Sequence, residues 1–156
     1  MNNVTINTQE MSLPVWSGAV CSFATKVLDE LNCVNWELSI LFCGNKTIRG
    51  LNNHYLNKDE PTDILSFNLG ETIKDGGREV YLPGDIIISL EMLHENAQYF
   101  KISEDEELRR LLIHGILHLN GMDHETIESG EPMLALQESI LEKFKNERII
   151  PCGGKD

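Results

Sequence analysis

The sequence predicts an α+β fold, a single domain over residues 1–156 in which helices pack on a small mixed sheet. Three observations carry this. The chain has 156 residues, 41% hydrophobic and 24% charged, an ordinary balance for one globular domain large enough to stand without disulfides. Strand-like runs alternate with helical periodicity in the first two thirds, and helices dominate the last third. No internal repeat, linker or low-complexity stretch interrupts the pattern.

The elements follow in order. Val4 to Asn7 alternates briefly and predicts a first strand. Pro14 suits the first turn of a helix running to about Leu31, with Trp16, Val20, Phe23, Val27 and Leu31 three or four apart. Trp36 to Phe42 has strand composition. Asn45 is placed to N-cap a helix through Ile48, Leu51, Asn52 and Tyr55. Pro61-Thr62-Asp63 reads as a turn before a short strand from Ile64 to Leu69, and Gly70 to Pro83 reads as a loop rich in Gly and Pro. Asp85 to Ser89 is a further strand, followed by a helix from about Leu90 to Phe100. Ser103 and Glu106 form a capping box, with Asp105 and Glu107 favouring a helix start. That helix should pass through Leu108, Leu111, Leu112 and Leu119 and stop at Asn120-Gly121. A last helix is expected from roughly Gly130 to Lys145.

Charge and cysteine usage narrow the function classes. Thirteen Lys+Arg against 25 Asp+Glu give a net charge of −12, which counts against tight, unaided binding to bare nucleic acid, since phosphate contacts supply most of that affinity. Cys21, Cys33, Cys43 and Cys152 contain no C-x-x-C pair and read as free thiols of a reducing compartment. The start of the chain has no secretory pattern, and no apolar run is long enough to span a bilayer, so the expected location is cytoplasmic, without a membrane partner.

The informative segment is His114-Gly-Ile-Leu-His118-Leu-Asn-Gly121-Met-Asp-His124. Residues four apart on an α-helix lie about 40° apart around the axis and about 6 Å along it, so His114 and His118 share one face. A third imidazole cannot approach from the same straight helix. Gly121 accepts positive φ and lets the chain turn, which allows His124 to fold back. Three neutral imidazoles leave one tetrahedral position open, the donor set of a catalytic zinc site rather than a structural one. Isolated His pairs on helices are common, yet three of the five histidines fall in this short segment, with glycine where the turn is needed. The spacing H-x-x-x-H-x-x-G-x-x-H is also that of the metzincin peptidases, giving a metalloprotease-like helix. Those enzymes carry Glu after the first His as general base, and Gly115 stands there instead.

The run H-G-x-L-H-L-x-G-x-D-H resembles the YbeY family of bacterial single-strand endoribonucleases. Upstream blocks extend the likeness in the family order: Leu51-Asn52-x-x-Tyr55, Asp59-x-Pro61-Thr62-Asp63-Ile-Leu-Ser66-Phe67 and Gly84-Asp85-Ile86-x-Ile88-Ser89. The resemblance covers about residues 45 to 124. It implies an α+β fold, a zinc site and a role in ribosomal RNA maturation, notably at the small-subunit 3′ end, and in ribosome quality control. It implies single-stranded ribosomal RNA, the small subunit and its assembly factors as partners. The family usually carries Arg after the Tyr of the L-N-x-x-Y block, important for activity there; here the residue is Leu56. An Arg fork holds phosphate bidentately and leucine cannot. Lys58 is the candidate substitute as a point charge, with Arg49 and Arg78 also considered. Met122 stands where Tyr is frequent.

The site expected from these readings has His114, His118 and His124 on one zinc ion. His114 and Asp123 carry the catalysis, and Lys58, Thr62, Asp63 and Ser66 contact substrate. Asp123, beside a ligand, is either a proton shuttle or a cap of the turn after Gly121. Thr62 and Asp63 are also ordinary turn residues, and Ser66 an ordinary polar position on a half-buried strand. His54 and His94 read as surface residues, and Glu104 to Glu107 as a helix N-terminus rather than an ion site. The leading reading is a metal-dependent endoribonuclease. A peptidase or amidase is the second, and a non-catalytic ribosome-associated metal-binding module the third.

Overall fold

The computed structural model describes residues 1–122 and 127–151, the side chains of 127–131 excepted. The element order is β1 (Asn3–Thr8), α1 (Ser17–Glu30), β2 (Glu37–Cys43), α2 (Asn45–Leu56), β3 (Ile64–Asp75), β4 (Arg78–Ser89), α3 (Leu90–Phe100), α4 (Glu104–Leu119) and α5 (Ile127–Lys143). The four strands form one mixed sheet in the order β1-β2-β4-β3, with β1, β2 and β4 parallel and β3 antiparallel to β4. This is the α+β architecture expected.

Alternation along the strands decides what each face covers. Leu38, Ile40, Phe42, Ile86 and Ile88 point into the main core with Val20, Phe23 and Val27 of α1 and Leu108, Leu112 and Ile116 of α4. The intervening Cys43, Leu65 and Ile87 meet Ile48 of α2 in a smaller cluster on the opposite face. Helix α4 lies between the sheet and its neighbours and is buried on nearly every side, including Asp105, Glu107 and Arg109. Asp105 is satisfied there: it accepts hydrogen bonds from the Ile149 and Ile150 amides at 2.6 and 2.8 Å and pairs with Arg109 at 3.1 Å. The three partners offset the cost of taking this carboxylate out of water, and they tie the chain after α5 to the start of α4.

Several boundaries differ from the sequence reading. Gly70 to Pro83 is not a loop: β3 and β4 continue through it as a hairpin that turns at Gly76-Gly77, both with positive φ as a two-residue type I′ turn needs. The segment Asn68–Asp75 is exposed along its whole length, so no apolar alternation marks it as strand. Helix α2 is capped one residue earlier, at Gly44. Its Asn45 amide is bonded by Glu91 Oε1 at 2.7 Å, while the Asn45 side chain accepts from Ser89. Helix α5 starts at Ile127 rather than Gly130, with Pro132 inside it. The Ser103 hydroxyl does cap α4, accepting from the Glu106 amide at 3.0 Å, but the Glu106 carboxylate turns to Arg110 instead of back to Ser103. His94 is not merely solvated; its Nδ1 lies 2.6 Å from Glu104.

Candidate metal centre

Helix α4 presents His114 and His118 one turn apart, with ring centroids 4.7 Å apart and planes at 79°. Two imidazoles sharing one zinc at 2.0–2.1 Å each would place their centroids about 5 Å apart, so the observed spacing suits a shared ion. The helix ends immediately beyond. Gly121 has φ 93° and donates to the His118 carbonyl, and the Met122 amide reaches back to Leu117, both at 3.0 Å. These are the paired bonds of a Schellman motif, which turns the chain sharply just past the second histidine. Asp123 and His124, the expected acid–base residue and third ligand, lie outside the described residues. Among the described residues no group of three or more metal-ligating side chains is assembled.

Gly115, between the two histidines, faces the sheet. A Cβ there would stand 2.9 Å from Ile86 Cδ1 and 3.1 Å from Ile64 Cδ1. Position 115 is therefore an inward packing position of α4, with no room for the Glu of a metzincin.

The sequence reading missed the partner of His114. Nδ1 of His114 lies 2.6 Å from Oε1 of Gln137, on α5. Gln137 Nε2 donates to Glu138 Oε2 at 3.1 Å, and Glu138 is held by Arg110 through Nε at 3.0 Å and Nη2 at 3.3 Å. Arg110 reaches Glu106 and Glu107 as well. The Arg110 guanidinium keeps the Glu138 carboxyl below the usual carboxylate range, and Arg110 is itself pushed further up by that bond. Burial raises Glu107 instead, against the pull of Arg110. The available signal was a polar residue on a buried stripe: Met133, Gln137, Ile140 and Leu141 share the inner face of α5.

His118 opens onto a groove of about 1340 Å³. One wall is the end of α4, through Asn120, Gly121 and Met122; the other is the β3–β4 hairpin, through Asn68, Thr72 and Tyr81. Leu56 and Lys58, after α2, line it too, so Lys58 shares the groove with His118. Ser66 pairs with Ile86 across the β3–β4 ladder, and alternation puts it on the same sheet face as Ile64 and Asn68. Thr62 and Asp63 do not line the groove. Thr62 bonds Asp63 at 3.4 Å, and Asp63 accepts from Asn96 at 3.2 Å and, through its carbonyl, from the Ser89 amide. Arg49 is engaged bidentately by Asp59 at 2.8 and 3.2 Å, and Arg78 faces Glu37 at 4.0 Å.

The family model described as Endoribonuclease YbeY matches residues 3–145. The chain belongs to the YbeY family. A YbeY relative named Endoribonuclease YbeY, from Treponema pallidum (strain Nichols), is 47% identical over 154 residues, covering 98% of this chain and 95% of the relative. The protein of that name from Borreliella burgdorferi (strain B31) is 46% identical over 135 residues, covering 82% and 85%. The one from Sulfurihydrogenibium is 41% identical over 147 residues, covering 94% and 95%. A solution structure of a Thermotoga maritima protein aligns over 100% of both chains with a TM-score of 0.57 and 25% identity. Against the YbeY pattern, Leu56 is the departure that bears on the groove. Its side chain is 49% exposed at the groove edge, where an Arg would present its fork.

Proposed function

We propose that this chain is a zinc-dependent, single-strand endoribonuclease that matures ribosomal RNA at the small-subunit 3′ end and serves ribosome quality control in the cytoplasm. The observation that carries the reading is the His114–His118 pair, spaced for one shared ion, with His118 opening onto a large groove. His114, His118 and His124 are the proposed ligands of one zinc. Bound zinc supplies a Lewis acid for a phosphate oxygen and lowers the pKa of water toward neutrality. Lys58 offers a point charge to the RNA backbone in the same groove, a weaker hold than an Arg fork. Ser66, on the same strand face as Asn68, is proposed to contact the RNA as well. With glycine at 115, the proton acceptor must come from elsewhere, and Asp123 is assigned that role. The packing of Gly115 against Ile64 and Ile86 speaks against a peptidase, because the Glu that such chemistry needs has no space.

The test is His118→Ala, assayed for zinc content and for cleavage of single-stranded RNA. Loss of both is expected; a variant that keeps its zinc and cuts RNA at the wild-type rate would end the reading.

A further inference from the structure

We propose that Gln137 is a positioning residue: with Glu138 and Arg110 it fixes His114 as the tautomer protonated on Nδ1, leaving Nε2 as the nitrogen with the lone pair. One chain of hydrogen bonds links Arg110, Glu138, Gln137 and His114. Arg110 grips both oxygens of Glu138, at 3.0 and 3.3 Å. A carboxylate so held is ionised, and an ionised carboxylate only accepts. The Gln137 atom at 3.1 Å from it must therefore be the amide NH₂, and the carbonyl oxygen is the atom turned to His114. Reversing the amide would set an oxygen against a carboxylate. A carbonyl oxygen has no proton to give, so the 2.6 Å contact requires the hydrogen on Nδ1 of His114. Gln137 itself is only 6% exposed, which shelters its bond to His114, while Glu138 at the outer end of the relay is half exposed and held by Arg110.

The consequence concerns metal binding, and this part rests on reading His114 as a zinc ligand. An imidazole ligates through a deprotonated nitrogen, and a fixed acceptor on the other nitrogen orients the ring and raises its basicity. Gln137 supplies that acceptor from a different helix. The amide is neutral, so it adds no charge of its own to a site whose other ligands are neutral imidazoles.

The experiment is ¹⁵N NMR of the imidazoles in zinc-free protein, above the histidine titration range, with zinc affinity measured separately by chelator competition. Wild type should show His114 protonated on Nδ1. Gln137→Met, unbranched and of similar length but with only a weak thioether acceptor in place of the amide oxygen, should lose that preference and bind zinc about 10–100-fold more weakly. Gln137→Glu, which keeps an acceptor oxygen, should retain the tautomer. Wild-type His114 protonated on Nε2 overturns the proposal with no variant needed. A Gln137→Met protein with unchanged tautomer and affinity overturns it equally. Should wild type bind no zinc at all, the metal reading falls, while the NMR result still decides the tautomer.

Discussion

Gly115 shows how one residue separates this site from a peptidase. Adding a methyl group would press on the Cδ1 ends of Ile64 and Ile86, which are flexible tips that can shift. Gly115→Ala should therefore change stability by less than about 1 kcal/mol, helix propensity offsetting the crowding. Gly115→Glu would bury an unpaired carboxylate in the apolar seam between α4 and the sheet. It should destabilise by more than about 3 kcal/mol in urea titrations and confer no peptidase activity. A stable Gly115→Glu protein would contradict the close packing of α4 on the sheet at this position. The same scale shows what a sequence reveals. His114 and His118 were legible because helical periodicity alone sets their common face. Gln137 was not, since its meaning depends on how α5 docks on α4, a tertiary fact that no local spacing encodes. Lys58 enters the sequence reading only as a substitute for the Arg expected at 56, and nothing in the local sequence signals that it lines the same groove as His118.

Among the elements, the β3–β4 hairpin matters most, because it forms a wall of the groove. Gly84 sits opposite the bulge between Asn68 and Glu71, with φ 132° and a position where a Cβ would fall 1.9 Å from the Phe67 carbonyl oxygen. No side-chain rotation relieves contact with backbone. Gly84→Ala should cost at least about 2 kcal/mol in chemical denaturation and loosen the hairpin. Unfolding of the variant at the wild-type midpoint would contradict this close approach of Gly84 to the Phe67 carbonyl. The distal half of this hairpin reads as a loop for a physical reason: Asn68–Asp75 is exposed at every position and carries no in–out alternation, while on its β4 arm only Val80 and Pro83 are buried among the Gly and Pro of the segment. By contrast β2, α3 and α4 are legible nearly to the residue: β2 alternates half-buried with buried positions, and α3 and α4 each begin at a serine cap. The buried role of Asp105 was hidden within an acidic run whose neighbours only charge the helix terminus.

At the scale of the whole molecule, net charge and groove chemistry oppose each other. With a net charge of −12 and a leucine at position 56, the chain should bind single-stranded RNA weakly and with a shallow salt dependence. Lys58→Ala should reduce the slope of log K against log salt by about 0.7, and Leu56→Arg should steepen it by a similar amount while tightening binding several-fold. Slopes unmoved by either change would place the RNA outside this groove. The α+β architecture could be read from the sequence because the alternation of strand and helix periods is a whole-chain pattern. The groove could not, since it forms only where the hairpin, the end of α4 and the turn after α2 meet. The zinc-dependent cleavage proposed for this groove is decided by metal analysis together with a single-stranded RNA cleavage assay, on wild type and on His114→Ala. Zinc and turnover are expected in the wild type, and loss of both together in the variant. Wild-type protein that holds zinc but cuts no RNA, or a variant that keeps both, would contradict that proposal.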